Sequence, residues 1–173
     1  TLQQLEERMG RDARGIDLVA GAKGSPMQVI LSAIYHLDMP TGNISLAQAR
    51  EIAKHRMVKK TIPLALGDSY KGFRIVGTNH DYVVHYGGSP AAGRLWAKPM
   101  EAVIGAEVAQ RLGHGVGTTI IGAHGIADAG AEHGDAPYRV VGVLAASGTV
   151  LDRLVLTSIE SVWLVHDEHQ GTD

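Results

Sequence analysis

Apolar and polar residues alternate along this chain with two different periods. Leu46, Ala49, Ile52 and Ala53 recur at helical spacing, while Arg50, Lys54 and Arg56 point the other way. Ser45 stands three residues before Gln48, the capping-box spacing that satisfies two free N–H groups at a helix start. The same reading gives an amphipathic helix over 2–9 stopped by Gly10, and a short one over 82–86 broken by Gly87, Gly88 and Pro90. It adds a helix over 106–112 ended by Gly113, and a last one over 158–166. Residues 27–35 are apolar without a clear period and fit either a strand or a buried helix.

The second period belongs to strands. Residues 16–20, 58–66, 73–77, 102–105, 118–121, 138–144 and 151–157 carry strand character. Segments 58–66 and 73–77 read as a hairpin around the loop 67–72. Helices and strands interleave, but hairpins are frequent, which favours an α+β fold over a doubly wound sheet. No internal repeat occurs, and only 122–136 is low in complexity.

Composition adjusts this picture in a few places. With 22 Gly and one Phe, the core must be built from Val, Ile, Leu and Ala. The length of 173 residues suits one domain or two small lobes. A net charge of −2 supplies no basic field for nucleic acid or an anionic membrane surface. Without Cys there are no disulfides and no thiolate metal sites. No apolar run reaches the roughly 18 residues of a membrane span, and no signal-peptide pattern opens the chain. It begins on Thr1, as either a processed protein or a piece of a longer one would.

Three groups of residues invite a chemical reading. Gly67-Asp68-Ser69 after a strand is how GDSL (SGNH) esterases present a nucleophile, which would be Ser69 here. That class needs a late Asp-x-x-His, whereas Asp167-Glu168-His169 has one residue between, and Gly77-Thr78-Asn79 continues with His80 rather than Asp. A strand after Ser69 also replaces the helix such an enzyme requires. The stretch Gly21-Ala22-Lys23-Gly24-Ser25 holds phosphate-loop residue types in the wrong order and runs into Pro26, so it reads as a turn. Nine His are present: His80 and His85 are five apart, His166 and His169 three apart. His124 and His133 lie nine apart in a Gly- and Ala-rich stretch with Asp128, Glu132 and Asp135. No pair brings a third ligand at a telling distance, and no catalytic, cofactor or metal residue is assigned.

The order of certain stretches resembles a known family. Residues 101–117, EAVIGAEVAQRLGHGVG, give a strand, a Gly-Ala-Glu turn, a short helix and Val-Gly before a new strand. Then come YRVVGVL at 138–144, a turn with Asp152, and a further strand. This is similar to the extracytoplasmic core domain of MacB/FtsX-like ABC-transporter permeases, with 16–24 and 62–78 fitting its first half. The resemblance implies an α+β fold with a mixed sheet: a βαβ-type porter lobe of residues 1–77 and 148–173, and a smaller β-rich sabre-like lobe inserted at 78–147. It implies a porter lobe truncated at its C-terminus, because that lobe usually closes with another strand.

By the same resemblance the domain lies in the periplasm, between the first two transmembrane helices of an inner-membrane permease. The permease works as a homodimer with a cytoplasmic ABC ATPase subunit and a periplasmic partner protein. No catalytic residues carry over, no cofactor is implied, and ATP hydrolysis belongs to the separate subunit. The alternatives are a zinc-binding extracytoplasmic module and a small esterase acting through Ser69.

Overall fold

The computed structural model describes residues 1–124 and 137–167. Its first half runs α1 (Leu2–Asp12), α2 (Pro26–Ala33), α3 (Leu46–Lys54), β1 (Asp68–Tyr70), β2 (Phe73–Thr78) and α4 (His80–His85). There follow β3 (Pro90–Gly93), β4 (Glu101–Ile104), α5 (Ala106–Leu112), β5 (Thr119–Ile120), β6 (Ala123–His124) and β7 (Tyr138–Leu144). A 3-10 turn at Val150–Arg153 then leads into β8 (Leu154–Ser158), which passes directly into α6 (Ile159–Asp167). The chain is α+β.

The strands form one mixed sheet in the order β3-β7-β4-β8-β2-β1-β6, with β5 also paired to β7. β2 runs parallel to β8 and β4 parallel to β7, whereas β4 and β8 are antiparallel. β2 (all but its last residue, Thr78) and β8 come from segments 1–77 and 148–173, and β4 and β7 from 78–147. A single hydrogen-bonded sheet therefore runs through both stretches.

The period of two along the central strands sorts the apolar side chains onto two faces. Val76, Val103, Val141, Leu154 and Leu156 share one cluster with Tyr82 and Val83 of α4, Trp96, and Val150 and Leu151 of the 3-10 turn. Ile75, Ala102, Ile104, Val140 and Val155 form the other, closed by Val108 of α5 and Val165 of α6. Most of these side chains are fully buried, each contributing about 1.5–3 kcal/mol in transfer from water. Both faces are covered over the middle of the sheet, so β8 is buried along its whole length.

Local chemistry explains several elements. The Ser45 capping box forms as the spacing predicts: the Ser45 hydroxyl accepts from the Gln48 N–H, and the Gln48 side chain accepts from the Ser45 N–H. Gly113 closes α5 in the left-handed conformation, φ 64°. Gly105, between β4 and α5, allows a close approach of backbones, since a Cβ there would stand 2.1 Å from the Leu151 carbonyl oxygen.

Other expectations give way to what was invisible in one dimension. Helix α1 continues past Gly10, which lies in open space, and ends at Asp12. Residues 16–20 are not a strand, because a strand exists only with a hydrogen-bonded neighbour and none is beside them among the described residues. Residues 27–35 resolve as helix α2 with Pro26 in its first turn. Segment 58–66 alternates as a strand does, and Ile62, Leu64 and Leu66 pack on the core. Among the described residues only Ala65 pairs there, with Gly77, because Pro63 has no N–H and β1 already takes the first half of β2's edge. The hairpin is thus β1 with β2, closed by Lys71 and Gly72 at φ 46° and 82°. Two positive values are the signature of the type I′ turn, whose twist matches the strands it joins.

Candidate functional site

Among the described residues, the motifs that suggested chemistry do not assemble into catalytic sites. Ser69 is buried within β1 and held between β2 and β6, with no strand-to-helix elbow to present its hydroxyl. Lys23-Gly24-Ser25 is a turn in which Gly24 lies against Thr41, and Ser25 makes no side-chain cap to α2. His80 and His85 sit at opposite ends of α4. His80 Nε2 is 2.8 Å from the Trp96 carbonyl oxygen, and the His85 ring lies edge-on to Tyr86. The 125–136 stretch, with Asp128, Glu132, His133 and Asp135, lies outside the described residues, as do Glu168 and His169. Among the described residues no three His, Asp or Glu side chains gather as a metal ligand set.

Two surface hollows of about 590 and 500 Å³ meet at Asp152, one beside α5 and one beneath α1. Asp152 is occupied in shaping its own turn, accepting from the Ser147 and Gly148 N–H groups at 2.8 Å each. Neither hollow places a nucleophile beside a base.

The distinctive chemistry is instead a buried polar joint at the end of α1. Asp12 is 1% exposed, although it is the last residue of a helix, where the backbone dipole disfavours a negative charge. Its Oδ1 accepts the Val150 N–H at 2.7 Å, and its Oδ2 lies 3.6 Å from Arg153 Nη2, so both contacts fall on the turn that starts β8. Burial raises the Asp12 pKa, while the Val150 N–H and then Arg153, Arg8 and Arg11 oppose that rise. The Asp12 carbonyl accepts the Tyr86 hydroxyl at 2.8 Å. Tyr86 meets Tyr82 edge to face at 5.1 Å, and the Tyr82 hydroxyl lies 2.8 Å from His36 Nε2. Burial lowers the His36 pKa to about 3, with Arg74 and Arg153 adding to it, so that imidazole is neutral. A continuous chain of contacts thus links His36, α4, α1 and the head of β8.

A second joint holds α6 to the other end of β8. The Ser158 hydroxyl accepts the Ser161 N–H at 3.2 Å, a helix N-cap formed by the last residue of the strand. Ser161 Oγ accepts the Met100 N–H at 2.9 Å and lies 2.8 Å from Thr157 Oγ1. Thr157 in turn donates to the Glu101 carbonyl at 2.7 Å. Beside it the Glu101 carboxylate receives both Arg94 guanidinium nitrogens at 2.6 and 2.7 Å, and the Ala97 N–H at 2.8 Å. Arg94 first, then the backbone donors, holds the Glu101 pKa down to about 2.

Sequence reasoning did not single out Asp12, Tyr86, Arg153 or Ser161. The one signal available was Asp12 itself, an acid beside Arg11 where a helix should end in basic residues.

The joints hold α1 and α6 against the two ends of β8. The family model of the MacB-like periplasmic core domain matches residues 12–171. No curated protein matches the chain by sequence. Among solved structures, the periplasmic region of MacB from Actinobacillus actinomycetemcomitans is 15% identical at a TM-score of 0.49, covering 69% of this chain and 57% of that one. The extracellular domain of the noncanonic ABC-type transporter YknZ from Gram-positive bacteria is also 15% identical, at a TM-score of 0.50. That alignment covers 72% of this chain and 67% of the other. The chain therefore spans little more than half the length of the MacB region, and at such identity the YknZ likeness speaks for the fold.

Proposed function

The chain belongs to the MacB-like periplasmic core domain family, and on that premise we propose that it relays ATP-driven movement of membrane helices to a substrate or partner outside the membrane. The observation that carries this reading is the pair of buried polar joints. They fix α1 and α6 to opposite ends of the same strand, β8. A helix held that way passes rotation or tilt into the sheet instead of swivelling on a loop. In this reading the domain is a non-enzymatic part of an inner-membrane permease that acts as a homodimer. ATP is hydrolysed by a separate cytoplasmic subunit, and a periplasmic partner protein or the substrate meets the exposed surface.

The division into a porter-like part (1–77 with 148–173) and a sabre-like part (78–147) belongs to this proposal. Because one sheet joins the two parts, they are expected to move as one body. The test is the full-length gene, co-expressed with its ATPase and reconstituted in vesicles. A membrane-spanning segment on each side of the domain is expected. Asp12→Ala should leave ATP hydrolysis running while export falls. Absence of flanking spans, or full export by the variant, refutes the proposal.

A further inference from the structure

The net charge of −2 averages over an uneven distribution. Residues 50–60, REIAKHRMVKK, hold five of the 16 Lys and Arg but one of the 18 Asp and Glu, a local +4 that leaves −6 for the rest. The whole-chain figure thus conceals a basic field of local extent. This segment is the end of α3 and the turn that follows. The Val58 N–H donates to the His55 carbonyl at 2.8 Å and the Met57 N–H to His55 Nδ1 at 3.2 Å, so 55–58 is a tight turn with Arg56 and Met57 at its corners. Met57 is 77% exposed, more than any other large apolar side chain among the described residues. Lys54, Arg56 and Lys59 beside it in the chain are exposed as well.

Helix α3 carries the same combination. None of its residues is buried: Ala49 and Ile52 are half-buried, whereas Leu46 and Ala53 are exposed. On a helical wheel Leu46 and Ala53 fall on one line, with Arg50 and Lys54 beside it on the side away from Ile52. The uncovered edge of the apolar stripe is therefore bordered by cations, the pattern of a helix that lies in a membrane interface. Ion pairing does not use these cations up. Lys54 stands 4.0 Å from Glu51 and Lys60 3.0 Å from Asp81, both pairs in water, where such contacts are weak. Among the described residues Arg50, Arg56 and Lys59 have no ion pair.

We propose that α3 and the 55–58 turn dock on an anionic lipid surface. Met57 and Leu46 enter the headgroup region, and Arg50, Lys54, Arg56 and Lys59 meet the lipid phosphates. Charge alone would suit an acidic protein equally well; Met57 decides between them. A protein would need a fitted pocket for a thioether standing among cations, whereas a bilayer takes it at any point while the long basic side chains keep their heads at the phosphates. Nothing here depends on the transport reading, because bare vesicles contain neither permease nor ATPase.

The test is co-sedimentation of the 173-residue chain with vesicles of phosphatidylglycerol and phosphatidylcholine at low ionic strength, where screening is weakest. Binding is expected there, with little to phosphatidylcholine alone, and added salt should release the protein. Arg56→Gln with Lys59→Gln should weaken binding about 25-fold, about fivefold for each cation. Lys71→Gln with Arg139→Gln removes the same charge from the β1–β2 turn and β7, and should bind as the parent does. Met57→Ser should cost about tenfold, and Met57→Trp should shift its emission to the blue on the vesicles. All these side chains except Lys71 are exposed positions of turns or strands, and circular dichroism should show the fold unchanged in each variant. Failure to sediment with the anionic vesicles overturns the proposal, as does equal weakening by the two double variants. Binding to polyglutamate that matches binding to vesicles, with Met57→Ser indistinguishable from the parent, overturns it in favour of an acidic protein.

Discussion

Acid should weaken this domain through His36 before its carboxylates are protonated. The imidazole is 8% exposed, with Nε2 2.8 Å from the Tyr82 hydroxyl, and burial holds its pKa to about 3. In the unfolded chain the same group titrates near its ordinary value of about 6.5. The folded pKa is the lower one, so the unfolded state takes the proton first and stability rises with pH. The His36 contribution is complete above about pH 6.5 and is lost as pH falls toward 3. The slope is about 1.4 kcal/mol per pH unit for one proton, which comes to roughly 3 kcal/mol by pH 4. Against a typical total of about 5–15 kcal/mol, that moves a melting curve visibly.

Urea denaturation at pH 7.5, 6, 5 and 4 measures the effect in the parent and in His36→Gln. The variant is expected to start from a lower stability, because it gives up packing against Tyr82. It should lose less with acid, the two stability-against-pH lines differing by about one proton between pH 6 and 4. Parallel lines would refute the reasoning, since His36 would then take its proton without unfolding the chain.

Asp12→Ala should cost about 2–4 kcal/mol, because it removes a buried charge-assisted hydrogen bond and leaves Arg153 half-buried without its carboxylate. A double-mutant cycle with Arg153→Ala, read by urea melts, should show coupling, and hydrogen exchange should speed up in α1. Glu101→Gln should flatten the acid limb of stability. The carboxylate's contribution is complete above about pH 4.3 and is lost as pH falls through about 2, so the variant and the parent converge at the lowest pH. Gly105→Ala should destabilise by about 3 kcal/mol or more in thermal melts, because its Cβ would stand 2.1 Å from the Leu151 carbonyl and the backbone there has no room to give.

What the sequence made legible was whatever depends on near neighbours. The Ser45 capping box, the Gly113 stop and the strand character of β2, β4 and β7 are local facts, and the structure bears them out. The family resemblance rested on the order of such local units and agrees with the family match. The failures share one cause. Residues 16–20 and 58–66 have strand-like residues, but whether they become strands depends on a vacant edge elsewhere in the chain. The polar joint was hidden for the same reason: Asp12 meets Val150 across 138 positions, and Tyr86 meets Asp12 across 74. Neither distance leaves a trace in spacing.

Strand β8 has five residues, about 17 Å end to end, with a parallel neighbour on one side and an antiparallel one on the other. Tension entering along α1 and leaving along α6 would act lengthwise on it. Hydrogen bonds on both flanks would then be strained together in shear instead of being peeled open one by one. At the α1 end that line runs through the Asp12 carboxylate and the Tyr86 hydroxyl on the Asp12 carbonyl, a few hydrogen bonds against the many of the sheet. Under rising force this domain should release its first helix long before its sheet yields, a mechanical fuse at one end of a stiff rod.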